Sequence, residues 1–166
     1  MSAIPLVLLP GLLCDRRLFA AQTAKLAAHG PVTVADLTAA DSIAGLARQV
    51  LAAAPSRFAL AGLSMGGVVA LEILRQAPDR VDRLALLDSQ ARPDDASARE
   101  RRLALIELAR TGDFAAVPQR LLPLLVHPER VGNAELAATV IAMAEAVGPE
   151  AFVRQQTALM GRIDSR

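Results

Sequence analysis

Aromatic residues are nearly absent from this 166-residue chain, which has no tryptophan, no tyrosine and four phenylalanines. Readers of single-stranded nucleic acid stack bases on aromatic rings and track phosphates with a basic groove. With 2% aromatics and a formal net charge of +1, neither device is available, and no nucleic-acid partner is expected. Cysteine occurs once, at Cys14, which excludes an internal disulfide and suits a reducing cytoplasm. Histidine occurs twice, at His29 and His127, and no Cys/His spacing matches a metal site. No phosphate-binding glycine loop and no internal repeat is present, so no metal and no cofactor is expected. The sequence has no uninterrupted apolar run of about 18 residues, the length a membrane span needs. At the N-terminus a basic segment is lacking and Pro10-Gly11 breaks the apolar run, unlike a signal peptide.

What is present is apolar and patterned. Hydrophobic residues reach 53%, and the length suits a single globular unit with a buried core. Charge clusters such as Arg99-Glu100-Arg101-Arg102 read as a solvated helix face. The most informative stretch is Gly62-Leu63-Ser64-Met65-Gly66, a Gly-x-Ser-x-Gly pattern. It follows the apolar segment Phe58-Ala59-Leu60-Ala61 and leads into a helical pattern from Val68 to Gln76. A glycine-rich turn also satisfies the bare pattern. The strand before it and the helix after it are what point to a nucleophile elbow. Such a turn is too tight for side chains beside the serine, which explains glycine at Gly62 and Gly66. The helix behind it aims free N–H groups and a positive dipole end at Ser64.

A second segment supports this. Ile4 to Leu9 is a short apolar strand that stops at Pro10-Gly11, where Gly11 is expected to allow a sharp turn. Asp15 is placed to cap a helix from Arg16 to Ala28. Strands over Pro31–Asp36, Arg57–Ala61 and Val81–Asp88 alternate with helices over Asp41–Ala54 and Met65–Gln76. That alternation predicts an α/β fold with a parallel sheet. At this point the chain resembles the α/β-hydrolase superfamily, specifically its lidded serine hydrolases. The resemblance implies a sheet whose strands correspond to the third to sixth of that fold, side by side in the order four, three, five, six, with helices on both faces. It makes Ser64 the nucleophile and assigns the oxyanion hole to the backbone N–H groups of Leu12 and Met65. Asp88, directly after the sixth strand, is a candidate acid, with a carboxylate capping the Asp88-Ser89 turn as the alternative.

Residues 1–93 are thus expected to form the sheet core and residues 94–166 a helical lid. Within the lid, Ser97-Ala98-Arg99-Glu100 has capping-box spacing for a helix from Arg99 to Arg110. A second apolar piece spans Phe114–Val126, interrupted by Pro118 and Pro123. Asn133 caps a third helix over Ala134–Val147 that Gly148 stops, and a fourth covers Glu150–Met160 before Gly161. The stretch Gln155 to Arg162 is where the resembling fold returns to its sheet. The acid and histidine that this family places on later strands have no counterpart here, so the C-terminal strands are expected to be missing. His29 reads as a residue of the last helical turn and His127 as a helix-end residue in the lid; neither matches a family histidine. The expected function is a serine hydrolase of a small ester or related acyl substrate, this chain being its N-terminal portion, with no membrane partner. A catalytically silent member that binds a ligand or partner is the alternative. Leu84-Ala85-Leu86-Leu87, left at the sheet edge, is expected to promote self-association.

Overall fold

The computed structural model describes residues 3–166. Four strands form one parallel sheet: β1 (Leu6–Leu9), β2 (Val32–Val34), β3 (Phe58–Leu63) and β4 (Val81–Leu87). Their spatial order is β2-β1-β3-β4, the order four, three, five, six of the resembling fold. Leu6 of β1 lies opposite Val32 on one side and Ala59 on the other, and Leu63 lies opposite Leu87. The pleat sends Val7, Leu9, Phe58 and Leu60 to one face, against α2 (Ile43–Ala53) and α3 (Met65–Gln76). Leu46, Val50, Val69 and Ile73 complete that cluster, each worth about 1.5–3 kcal/mol relative to exposure. Leu8 and Ala61 point to the other face, where Phe19 covers them ahead of α1 (Ala20–Leu26). Burial on both faces is why β1 and β3 read as continuous apolar runs.

The helix ends follow their caps. Ser42 Oγ accepts from the Gly45 N–H and Asn133 Oδ1 from the Leu136 N–H. The helix expected over Arg16–Ala28 is instead a 3-10 turn (Arg16–Phe19), α1 and a second 3-10 turn (Ala27–His29). Asp15 does cap it, accepting from the Arg17 N–H while pairing with the Arg17 guanidinium, which tightens the first turn. The capping box at Ser97 is not used. α4 (Ala96–Arg110) starts earlier because the Asp95 carboxylate accepts from the Ala98 N–H, and Ser97 Oγ accepts from Arg101.

α5 (Ala116–Leu125) carries Pro118 in its first turn, where a missing N–H costs little, and Pro123 inside. The third and fourth lid helices run end to end as α6 (Ala134–Met160), broken at Gly148 (φ 78°, ψ 167°). α6 has the length and hydropathy of a membrane-crossing helix, yet its second half is buried protein core. Ala158 and Leu159 join the cluster of β1 and β3, so the stretch expected to return to the sheet is helical up to Met160. α4, α5 and α6 also share a separate cluster: Ala109, Val117, Ala144 and Phe152 enclose Leu13. At the far edge of the sheet, among the described residues, β4 pairs only with β3 and exposes Leu84, Leu86 and Leu87 at 37–46%.

Candidate active site

Ser64 stands between the last residue of β3 and the first of α3, exposed, in a left-handed backbone conformation (φ 52°, ψ −114°). A non-glycine residue held there stores about 1–3 kcal/mol, so its surroundings must fix it. The Ser64 N–H donates to the Leu87 carbonyl at 2.9 Å, tying it to the end of β4. The Ser64 carbonyl accepts from Ser89 Oγ at 2.9 Å and from the Gly67 N–H at 3.0 Å. The glycines on either side permit the approach of β1, β3 and α3. A Cβ on Gly62 would overlap the Gly66 carbonyl, and one on Gly66 would overlap the Leu9 carbonyl. Gly67, which the motif does not require, is also closely packed, because a Cβ there would strike the Ser89 side chain.

The turn after β1 brings Leu12 to the same place. Its left-handed residue is Leu13 (φ 58°) and not Gly11, where a Cβ would meet only ordinary contacts at 3.6–3.9 Å. The expected role of Gly11 in turning the chain is therefore carried by Leu13. Gln155 of α6, fully buried, holds that residue: its Oε1 accepts from the Leu13 N–H and its Nε2 donates to the Leu37 carbonyl, both at 3.1 Å. Cys14 is packed behind the turn, its Sγ 3.4 Å from the Leu12 carbonyl. Burial, with the Asp15 charge adding to it, pushes the Cys14 thiol up to about 11, so it is protonated at neutral pH.

Leu12, Ser64, Met65 and Asp88 all line one cavity of about 290 Å³. Neither the Leu12 nor the Met65 N–H has a backbone acceptor among the described residues. Asp88 also has a left-handed backbone (φ 41°), and no hydrogen bond reaches its carboxylate among the described residues, so it does not cap its own turn. Arg102 and Arg162, from the lid, line the same cavity. Their shared partner is Asp94, 3% exposed, which binds Arg102 Nε at 2.6 Å and Arg162 Nη2 at 2.8 Å. Arg102 thus leaves the solvated face expected for the 99–102 cluster. Burial lowers the Arg162 pKa from its ordinary value, the Arg102 charge adds to this and Asp94 opposes it. Neither histidine reaches the cavity. His29 is exposed at the end of its 3-10 turn, and His127 caps another, accepting from the Glu129 N–H. Sequence reasoning missed Asp94, Arg102, Gln155, Arg162 and Ser89. Polar residues interrupting the apolar stretch of α6 were the available signal for Gln155.

No family model matches the chain. Over 92 residues, 51% of its length, it is 38% identical to a pimeloyl-[acyl-carrier protein] methyl ester esterase of Pectobacterium carotovorum, covering 36% of that protein. Among solved structures it resembles a thermophilic esterase from Thermogutta terrifontis (malate bound), with a TM-score of 0.85 and 25% identity. It also resembles the enol-lactonase from Burkholderia xenovorans LB400, with a TM-score of 0.87 and 22% identity. These alignments take in 99% of this chain but 66% and 67% of those two. The chain therefore spans about a third of the curated relative and about two thirds of the two structures. Strand order, the serine between β3 and α3 and both superpositions agree: this chain has the fold of the α/β-hydrolase superfamily.

Proposed function

We propose that this chain is the N-terminal portion of a serine hydrolase acting on a small ester or related acyl substrate. The observation that carries the reading is the backbone of Ser64, held left-handed at the start of α3, with the Leu12 and Met65 N–H groups on the same cavity lacking acceptors among the described residues. Ser64 Oγ attacks the acyl carbon. The oxyanion that forms is bound by the Leu12 and Met65 N–H groups, each worth about 3 kcal/mol in a comparable hydrolase. Asp88 is the candidate acid. Neither histidine among the described residues lines the cavity, so the reading calls for a general base from outside them. Without it the Ser64 hydroxyl is a poor nucleophile near neutral pH. Residues 1–93 act as the catalytic core and 94–166 as its lid, in a cytoplasmic protein that engages neither nucleic acid nor membrane.

A silent binding protein built on the same cavity is not favoured, since the similar proteins are named as esterases and an enol-lactonase. Fluorophosphonate labelling of a version extended with the missing base tests the proposal. Labelling is expected in the parent and lost in Ser64→Ala. Equal labelling of both removes Ser64 from the reaction.

A further inference from the structure

The lid side of the cavity carries more positive charge than its packing uses. Arg162 is 4% exposed at its side chain, with Nε donating to the Arg92 carbonyl at 2.8 Å and Nη2 in an ion pair with Asp94 at 2.8 Å. Its Nη1 makes no hydrogen bond among the described residues, although the residue lines the cavity. Arg102 is more fully engaged, giving Nη1 to Gln156 Oε1 at 2.7 Å and Nε to Asp94 at 2.6 Å. One carboxylate therefore serves two guanidiniums, that of Arg162 buried and that of Arg102 partly buried, and the lid side keeps one positive charge. Asp88, the other carboxylate at the cavity, forms no ion pair with either arginine among the described residues. A buried cation with an uncommitted donor is costly unless an anion meets it. The fork of a guanidinium suits a planar carboxylate best.

We infer that the Ser64 cavity contains an anion subsite in which Arg162, supported by Arg102, binds a carboxylate of the substrate. The inference rests on the esterase reading and narrows it: the substrate is the monoester of a short dicarboxylic acid. A volume of about 290 Å³ keeps the acid short.

The test is calorimetric titration of the Ser64→Ala chain, at low salt, with monomethyl succinate and with dimethyl succinate. These two probes differ chiefly in the charge at one end. The anion is expected to bind about tenfold more tightly than the diester, a charge-assisted hydrogen bond being far stronger than a neutral one. Added salt should shrink that preference. Arg162→Gln is expected to abolish it, and Arg162→Lys to retain part of it. Equal affinity for the two esters, or no binding of either, overturns the inference, and this comparison stands even where Arg162→Gln fails to fold. Labelling of Ser64 in the extended protein is a separate readout. An anion preference without labelling keeps the subsite and removes the esterase reading.

Discussion

The two walls of the cavity are built by different means. On the Ser64 side, β1, β3 and α3 come backbone to backbone at Gly62 and Gly66, which let carbonyls approach where a Cβ would overlap them. On the lid side the contacts are made by polar side chains, most of them between residues far apart in the chain: Asp94 with Arg162 and, nearer, with Arg102, and Gln155 with Leu13 and Leu37. The first wall is written locally and tolerates almost no substitution. The second is assembled by long-range hydrogen bonds whose members are individually replaceable at a defined cost. A short motif can therefore announce a nucleophile while saying nothing about what that nucleophile faces.

The contrast breaks first at the glycines. Gly66→Val or Gly62→Val should cost several kcal/mol, since a β-branched residue clashes with backbone that cannot move. At this size about 1 kcal/mol shifts the thermal midpoint by roughly 2–4 °C, so a midpoint within about 2 °C of the parent would overturn the tight-turn account.

Asp94→Asn comes next. It leaves two guanidiniums, one of them 4% exposed, without their carboxylate, and breaking a buried pair costs about 3–5 kcal/mol. Asp94→Asn combined with Arg162→Met should recover part of that loss. A double variant no more stable than the single one would mean that the pair is not a coupled unit.

Gln155→Leu removes the acceptor of the Leu13 N–H and should cost about 1–3 kcal/mol, the penalty of an unsatisfied buried donor. Urea unfolding measures it, with little change in the slope if the folded surface is unaltered.

Sequence and structure agree where the cause is local. The start and end of α3 at Met65 and Gln76, the cap at Asn133 and the stop at Gly148 were legible, because periodicity and a few turn residues fix them, while the strand order followed from the family resemblance. The start of α4 was misjudged, since Asp95 and Ser97 are both good caps and only packing chooses between them. The turn after β1 was credited to Gly11, although Leu13 carries the strained backbone; a buried glutamine more than a hundred residues away holds it there. Arg102 looked solvated beside its charged neighbours, and nothing in its local pattern foretold Asp94 or Arg162.

Two smaller effects complete the comparison. We propose that the exposed apolar strand β4 drives self-association at micromolar concentration, and Leu86→Lys should lower it in sedimentation while changing stability by less than about 1 kcal/mol. At Cys14 the raised thiol pKa of about 11 makes alkylation by iodoacetamide slow at pH 8 to 9 relative to the unfolded chain. Because the folded form holds that proton more tightly, stability should fall as pH rises from about 9, the ordinary thiol value, towards 11. Fast alkylation at pH 8 would show Cys14 open to solvent.

The single side chain of Gln155 also gives α6 a clock. The Leu13 amide hydrogen is sequestered by an acceptor that belongs to the helix and not to its own turn. It can trade with deuterium only when the second half of α6 lifts or the whole chain opens. Its exchange rate, followed against that of the sheet amides of Val7 and Leu60, thus times the undocking of the helix without any substrate present.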